Sequence, residues 1–453
     1  MVVPAETQHD LVYNIRLSSV GPGRATGTDV IRELSGLDLA MKLHYLKGVY
    51  FFSSEAVEGL TVMNIKEVMF YFLNDYYVTC GRVKRTESGR PYIKCNDCGV
   101  RFVEGLCDKT IDEWLEMADD SLQSLLVYHR AIGPELSFSP SVYLQITRFK
   151  CGGISLGMSW AHFLGDAFSA SDFITSWGQF MAKLKNYGPF KFPKPLEKPA
   201  DPTQYAKEHP LSAKQVNPVG DLWVTANNCK METFSFCLTK PQLSILQAKI
   251  SSGAEDGRSR LISPPFESVC AAIWQCIAKV RQGLFEPQIV TVCRKNPKHD
   301  KNDVPSNSQI ISAVKADFSV MGADLKKLAI LLSESNNYGM DERNKIEAAL
   351  EKDDGVTDYI MYGTNLTFVN MEDASLYDLE LKGQKPKFVY YSIHGVGDEG
   401  AVLFLPGPPK DSHTENNVEE RLVTITLPED QVLKLKSELK KNGLLVGNDH
   451  ELE

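Results

Sequence analysis

The sequence predicts an α/β protein of two domains, on three observations. The chain has 453 residues, well past the roughly 250–300 residues at which a single hydrophobic core stops growing. Its apolar residues switch between strand and helix spacing along both halves. A proline-rich stretch near the middle interrupts that pattern. With 43% hydrophobic and 24% charged residues, the composition is that of an ordinary folded protein with a sizeable interior.

From Ile65 to Tyr77, residues Val68, Met69, Phe72, Leu73 and Tyr76 recur at helical spacing, which predicts a helix packed on a sheet. Gly81 to Arg85 and Tyr92-Ile93, joined through Ser88-Gly89-Arg90, predict two strands around a glycine turn. Val142 to Phe149 alternates apolar and polar residues, and Gly152-Gly153 turns it into a second apolar strand, Ile154 to Trp160. Beyond Asp166, the residues Phe168, Phe173, Ile174, Trp177 and Phe180 return to helical spacing, so His162 falls at a strand-to-helix corner.

Between Pro189 and Pro210 lie six of the 23 prolines, among several lysines. That composition resists both helix and strand and predicts a crossover linker. The expected organisation is a domain over residues 1–188, a linker over 189–215 and a second domain over 216–453. In the second half, Phe266 to Gln282 predicts a helix and Gln288 to Cys293 a strand. Leu325 to Leu332 and Lys345 to Leu350 predict further helices. Strands follow at Val389 to Ile393, Val402 to Leu405 and Leu422 to Leu427, with a closing helix from Glu429 to Lys440. The acidic stretch Asp411 to Glu420 reads as a solvated loop.

A formal net charge of −9 without clustered Lys and Arg argues against nucleic acid as a partner, because phosphate binding needs concentrated positive charge. The ten cysteines are scattered, and Cys95-x-x-Cys98 with Cys107 meets no second pair or nearby histidine, so no metal site is expected. Glu6, His9 and Asp10 break any apolar signal core, and the uncharged run Cys151 to Gly165 falls short of the about 20 apolar residues of a membrane span. The expectation is a cytoplasmic protein with reduced thiols, in which the sequon Asn365-Leu366-Thr367 is idle.

The chemically suggestive pattern is His162-Phe163-Leu164-Gly165-Asp166, an HxxxD in which an imidazole could take a proton and a carboxylate lies four residues on. Chance alone supplies about half a match to such a pattern in a chain of this composition, and the sequence contains three. His299 and Asp303 lie in a polar run that reads as a solvated loop, whereas His394 and Asp398 close a strand and open a glycine turn. His162 differs in lying between two apolar strands and an amphipathic helix, where a side chain can face a cleft. By spacing alone it remains as readily a satisfied corner histidine as a catalytic one.

The stretch Gln145-Ile146-Thr147-Arg148-Phe149-Lys150-Cys151-Gly152-Gly153-Ile154-Ser155-Leu156-Gly157, running into His162 to Asp166, closely resembles the BAHD acyltransferases around their HxxxD motif. The resemblance continues at Gly81 to Arg85, at Cys95-Asn96 with Gly99-Val100, and at Phe266-Glu267-Ser268 with Trp274. Within that superfamily, Leu37 to Tyr45, Ser159 to His162 and His394-Gly395-Val396-Gly397-Asp398 are similar to the eceriferum/Glossy branch of plant surface wax formation.

The resemblance implies two chloramphenicol-acetyltransferase-like domains with mixed sheets, and a solvent channel between them with the HxxxD histidine at its middle. In ordinary members that histidine is the general base toward an acceptor attacking acyl-CoA. Carried over, His162 is the base, Asp166 an orienting residue, and Arg294 the candidate ion-pair partner of Asp166. Two departures stand out. Where the family carries DFGWG followed by Lys-Pro, this chain has Asp378-Leu379-Glu380-Leu381-Lys382-Gly383-Gln384-Lys385-Pro386, and Val304-Pro305-Ser306-Asn307-Ser308 replaces a glycine-rich segment. Both bear on the coenzyme A side of the channel.

Two functional readings follow from the resemblance. In the first, the protein supports very-long-chain fatty acid elongation as a partner of the elongase condensing enzyme, a ketoacyl-CoA synthase, recruited to the cytosolic face of the endoplasmic reticulum. In the second, it is a conventional acyl-CoA-dependent O- or N-acyltransferase using His162. No bound cofactor is expected in either. Acyl-CoA is the possible substrate, and an acyl-CoA or fatty acyl chain the small-molecule partner.

Overall fold

The computed structural model describes residues 11–117, 119–183, 208–251, 264–282, 286–298, 304–335, 339–408 and 420–445. In chain order the first half gives β1 (Tyr13–Val20), β2 (Ile31–Glu33), α1 (Gly36–Ala40), β3 (Tyr45–Phe52), α2 (Ser54–Val57), α3 (Val62–Phe72), β4 (Arg82–Arg85), β5 (Pro91–Lys94), β6 (Val100–Cys107), α4 (Ile111–Glu116), β7 (Val142–Phe149), β8 (Ile154–Ala161) and α5 (Ala167–Lys183). The rest gives β9 (Lys214–Val216), β10 (Met231–Leu238), α6 (Lys240–Ser251), α7 (Pro265–Val280), β11 (Ile289–Arg294), β12 (Ile310–Lys315), α8 (Leu325–Glu334), α9 (Gly339–Glu351), β13 (Asp358–Ile360), β14 (Leu366–Asn370), β15 (Phe388–His394), β16 (Ala401–Pro406), β17 (Arg421–Pro428) and α10 (Glu429–Lys441).

Two six-stranded sheets organise the molecule, in the orders β1-β6-β7-β8-β3-β15 and β10-β17-β16-β14-β11-β12. Both are mixed. In the first only β6 and β7 run parallel, and in the second β14 runs parallel to β11 and β16. β7 and β8 are buried along nearly their whole length on both faces, so that β8 reads as an apolar run while the polar residues of the alternating β7, such as Gln145 and Thr147, are buried as well.

One face of the first sheet carries α3 and α5. Phe72 of α3 and Trp160 of β8 each meet Phe173 of α5 with ring centroids 5.3 Å apart, the separation of a favourable aromatic pair. α3 begins earlier than the periodicity implies, because Thr61 and Asn64 form a capping box that satisfies its first amides. α7 is buried on nearly every side, with Phe266 packed 5.8 Å from Phe404 of β16.

The clean cut into residues 1–188 and 216–453 needs correction. β15 pairs antiparallel with β3 from Phe388 opposite Phe51 to His394 opposite Tyr45, so the first sheet takes its edge strand from the second half of the chain. An edge strand leaves backbone donors and acceptors open, and β15 closes that edge of β3. Of the expected linker, residues 189–207 lie outside the described residues, and its end folds as β9 paired with β13. Residues 299–303, which carry His299 and Asp303, and residues 411–419 also lie outside them.

Candidate functional site

β8 ends at Ala161 and passes through a single 3-10 turn, His162–Leu164, into α5. Asp166 sits at the start of that helix and works as its cap. Its Oδ1 accepts from the backbone N–H of Phe168 at 3.1 Å and of Ser169 at 3.0 Å, satisfying amides that have no partner within the helix. Its Oδ2 accepts from the backbone N–H of Ser308 at 2.9 Å and of Gln309 at 2.8 Å, and from the Ser308 hydroxyl at 3.2 Å. Gly165 makes that approach possible, since a Cβ there would stand 2.8 Å from the backbone N of Ser306.

Arg294 is not the partner of Asp166. Its guanidinium donates to Glu267 at 2.9 Å, to the Ser335 hydroxyl at 3.2 Å and to the Leu332 carbonyl at 3.2 Å, and lies over the Phe266 ring. The reason is strand alternation. Cys293 turns toward the interior shared with the corner, so Arg294, the next residue of β11, turns toward α7 and α8. Backbone amides supply to Asp166 what the expected arginine would have supplied.

His162 is fully buried, and apart from the Gly165 N–H, which donates to its carbonyl at 3.1 Å, its hydrogen-bond partners come from afar in the chain. Its N–H donates to the His44 carbonyl at 3.0 Å, and its own carbonyl accepts from Asn307 Nδ2 at 2.8 Å. Asn307 Nδ2 also donates to Asp38 at 2.9 Å, which ties α1 to the same corner. His162 Nε2 lies 2.9 Å from the Tyr362 hydroxyl, and that hydroxyl lies 3.0 Å from Nε2 and 3.2 Å from Oε1 of the Gln309 amide. His44 Nε2 in turn accepts from the backbone N–H of Met361 at 2.9 Å and of Tyr362 at 3.3 Å.

Burial pushes His162 down to about 4, against the opposing pull of Asp166, Asn307 and Asp38. It pushes His44 down to about 3, with His162 adding to the effect. Both imidazoles are therefore neutral at pH 7. A general base works best with a pKa near the working pH and with its lone pair facing the proton it takes. Here the pKa is low, and Tyr362 occupies Nε2. The resemblance implies an imidazole at the middle of a solvent channel, whereas this imidazole has no exposed surface.

Of the two other histidine-aspartate pairs, the one among the described residues separates. His394 ends β15 as an exposed residue, while Asp398 accepts from the backbone N–H of Asn228 at 3.1 Å and from its Nδ2 at 2.6 Å. The segment from Asp378 to Pro386 makes a tight turn at Lys382 and Gly383, both at positive φ, closed by a bridge between Leu381 and Gln384. Leu379 and Leu381 are buried, and Leu379 packs so closely on α5 that a Cβ on Gly178 would stand 2.5 Å from it. Sequence reasoning brought His162 and Asp166 to one corner but missed Tyr362, Gln309 and His44 as their company. No local pattern marks a residue whose partner lies far away in the chain.

Residues 18–442 match the Transferase family. Protein ECERIFERUM 26-like of Arabidopsis thaliana is 44% identical over 436 residues, which cover 96% of each chain. Two solved structures share the fold. Vinorine synthase superposes with a TM-score of 0.66 over 95% of this chain and 98% of its own, at 16% identity. F. graminearum TRI101 complexed with ethyl coenzyme A does so with a TM-score of 0.64 over 90% and 97%, at 15% identity. Among the described residues no helix is long and apolar enough to cross a membrane.

Proposed function

From the premise that this chain belongs to the Transferase family, the BAHD acyltransferases, in their eceriferum branch, we propose that it acts in surface wax formation by supporting very-long-chain fatty acid elongation. Its partner in this reading is the elongase condensing enzyme, a ketoacyl-CoA synthase, met at the cytosolic face of the endoplasmic reticulum. The ligand is a long acyl-CoA or its fatty acyl chain.

The observation that carries the reading is the Tyr362 hydroxyl on Nε2 of a fully buried His162. A histidine so placed stabilises a joint between distant segments, as buried hydrogen-bonded groups do. The compact turn at 378–386 adds support, since it packs Leu379 against α5 where the wider family carries its DFGWG segment. Acyl-CoA as a ligand draws support from the coenzyme A derivative carried by TRI101 on the same fold.

One observation favours a second reading, a conventional acyltransferase with His162 as base: His162 and Asp166 stand intact at the corner between the sheets. That chemistry requires Tyr362 to leave Nε2 first. Yeast co-expressing this protein with the condensing enzyme separates the two. With His162→Ala the fatty acids, measured by gas chromatography, are expected to keep their added length, because a positioned general base is worth roughly a hundredfold to ten-thousandfold only where it moves a proton. Loss of lengthening in a variant that still folds would favour catalysis. Co-purification with the condensing enzyme from microsomes tests the partnership.

A further inference from the structure

A row of polar side chains crosses the face of the first sheet opposite α3 and α5. The strand register aligns Arg101 with Tyr143, Tyr143 with Ser159, Ser159 with Lys47 and Lys47 with Ser392, and directly opposed residues share a face. In the middle of that row Lys47, part-buried, has neither a hydrogen bond nor an ion pair among the described residues. Asp120 reaches the same face beside Tyr390, but its carboxylate is taken by the backbone N–H and, at 2.7 Å, by the hydroxyl of Ser235.

Around this lysine stand donors of the same kind. His129 Nδ1 lies 2.9 Å from the Ser159 hydroxyl, while its buried Nε2 has no partner among the described residues. In the tautomer where Ser159 donates to Nδ1, Nε2 carries a proton aimed at nothing. The His129 ring is wedged 4.7 Å from Tyr45 and 4.8 Å from His394. Burial pushes Lys47 down to about 8 with no acid to oppose it, and burial and the Lys47 charge together push His129 down to about 2.

The positive charge continues to the surface. Tyr143 also lines an open cavity of about 490 Å³ whose wall includes Arg101, Arg130, Tyr128 and one acid, Glu135. A part-buried ammonium without a counter-ion costs stability, and a cleft in which Arg101 and Arg130 outweigh the one acid, Glu135, draws in anions.

We infer that Lys47 and His129, whose ring Ser159 positions, bind the carboxylate of an organic acid that enters past Arg101 and Arg130. One ammonium and one neutral imidazole N–H, the ring held by the Ser159 hydroxyl, match a singly charged carboxylate, and charge-assisted bonds of this kind are the strong ones. A dianionic phosphate would meet only half its charge there. The inference goes beyond the function proposed above and stands whether or not His162 moves a proton.

Calorimetric titration of the full-length protein with decanoate and with decan-1-ol tests it. Decanoate is expected to bind at least tenfold more tightly than the alcohol, and Lys47→Met to abolish that difference without changing alcohol binding. Ser159→Ala, a smaller change, should weaken decanoate severalfold. Thermal melting checks folding, and Lys47→Met should melt no lower than the parent. Equal binding of acid and alcohol by the parent, full decanoate affinity in both variants, or displacement of decanoate by an equal concentration of inorganic phosphate would each overturn the assignment.

Discussion

The hydroxyl of Tyr362 lies 2.9 Å from Nε2 of His162, across 200 residues of sequence and with both side chains shut away from water. This contact decides how the HxxxD corner behaves. The nitrogen that would face a substrate faces a phenol, and that phenol is itself held by Gln309.

Removing the hydroxyl tests how much the joint contributes. Tyr362→Phe leaves His162 Nε2 and the Gln309 amide buried with a lost partner, and a buried polar group left unsatisfied costs about 1–3 kcal/mol. Urea unfolding should register a loss of that size. No change in midpoint would mean that water or another group replaces the phenol.

Chemical modification reports the burial directly. Diethyl pyrocarbonate on the native protein, followed by peptide mass mapping, should label His394, an exposed residue, and spare the fully buried His162 and His44. Labelling of His162 at a rate like that of His394 would show that the corner opens.

The reassignment of Arg294 predicts a pattern of coupling. In double-mutant cycles, Arg294→Met with Glu267→Gln should show an interaction of roughly 1–3 kcal/mol, the range for residues sharing one polar network. Arg294→Met with Asp166→Asn should couple far less, because Asp166 is satisfied by Ser308 and Gln309. The reverse order would restore the expected ion pair.

Acid should destabilise the fold through its buried imidazoles. In the folded protein His162 titrates at about 4 and His44 at about 3, whereas in the unfolded chain each titrates at about 6.5. Between these values the unfolded state binds protons that the folded state refuses. Stability is therefore complete above about pH 6.5 and falls as the pH drops toward 4. Guanidinium midpoints measured from pH 7.5 to 4.5 should decline, and a folded His162→Gln variant should decline less steeply. An equal slope in the two proteins would remove His162 from the account.

The turn that replaces the family's DFGWG segment should be a structural wedge. Leu379 is fully buried against Gly178 of α5, and Leu→Ala at such a site costs about 2–5 kcal/mol. A thermal melt close to that of the parent would show that the segment packs loosely.

The sequence alone determined the elements and the corner. Val142 to Phe149 and Ile154 onward read as paired strands and are β7 and β8; the helical spacing after Asp166 is α5; the closing strand and helix are β17 and α10. Local periodicity carries such information because it depends only on residues a few positions apart. β3, the strand that β15 joins, escaped that reading, since Lys47 and Gly48 break its apolar run and only its buried setting between β8 and β15 explains it. The tertiary structure alone decided the rest: that β15 leaves its own half for the first sheet, that Asp166 takes backbone amides 142 and 143 residues away rather than Arg294, and that Tyr362 covers His162. Hydrogen-bond partners follow from which backbones meet in space, and no spacing along the chain records that meeting.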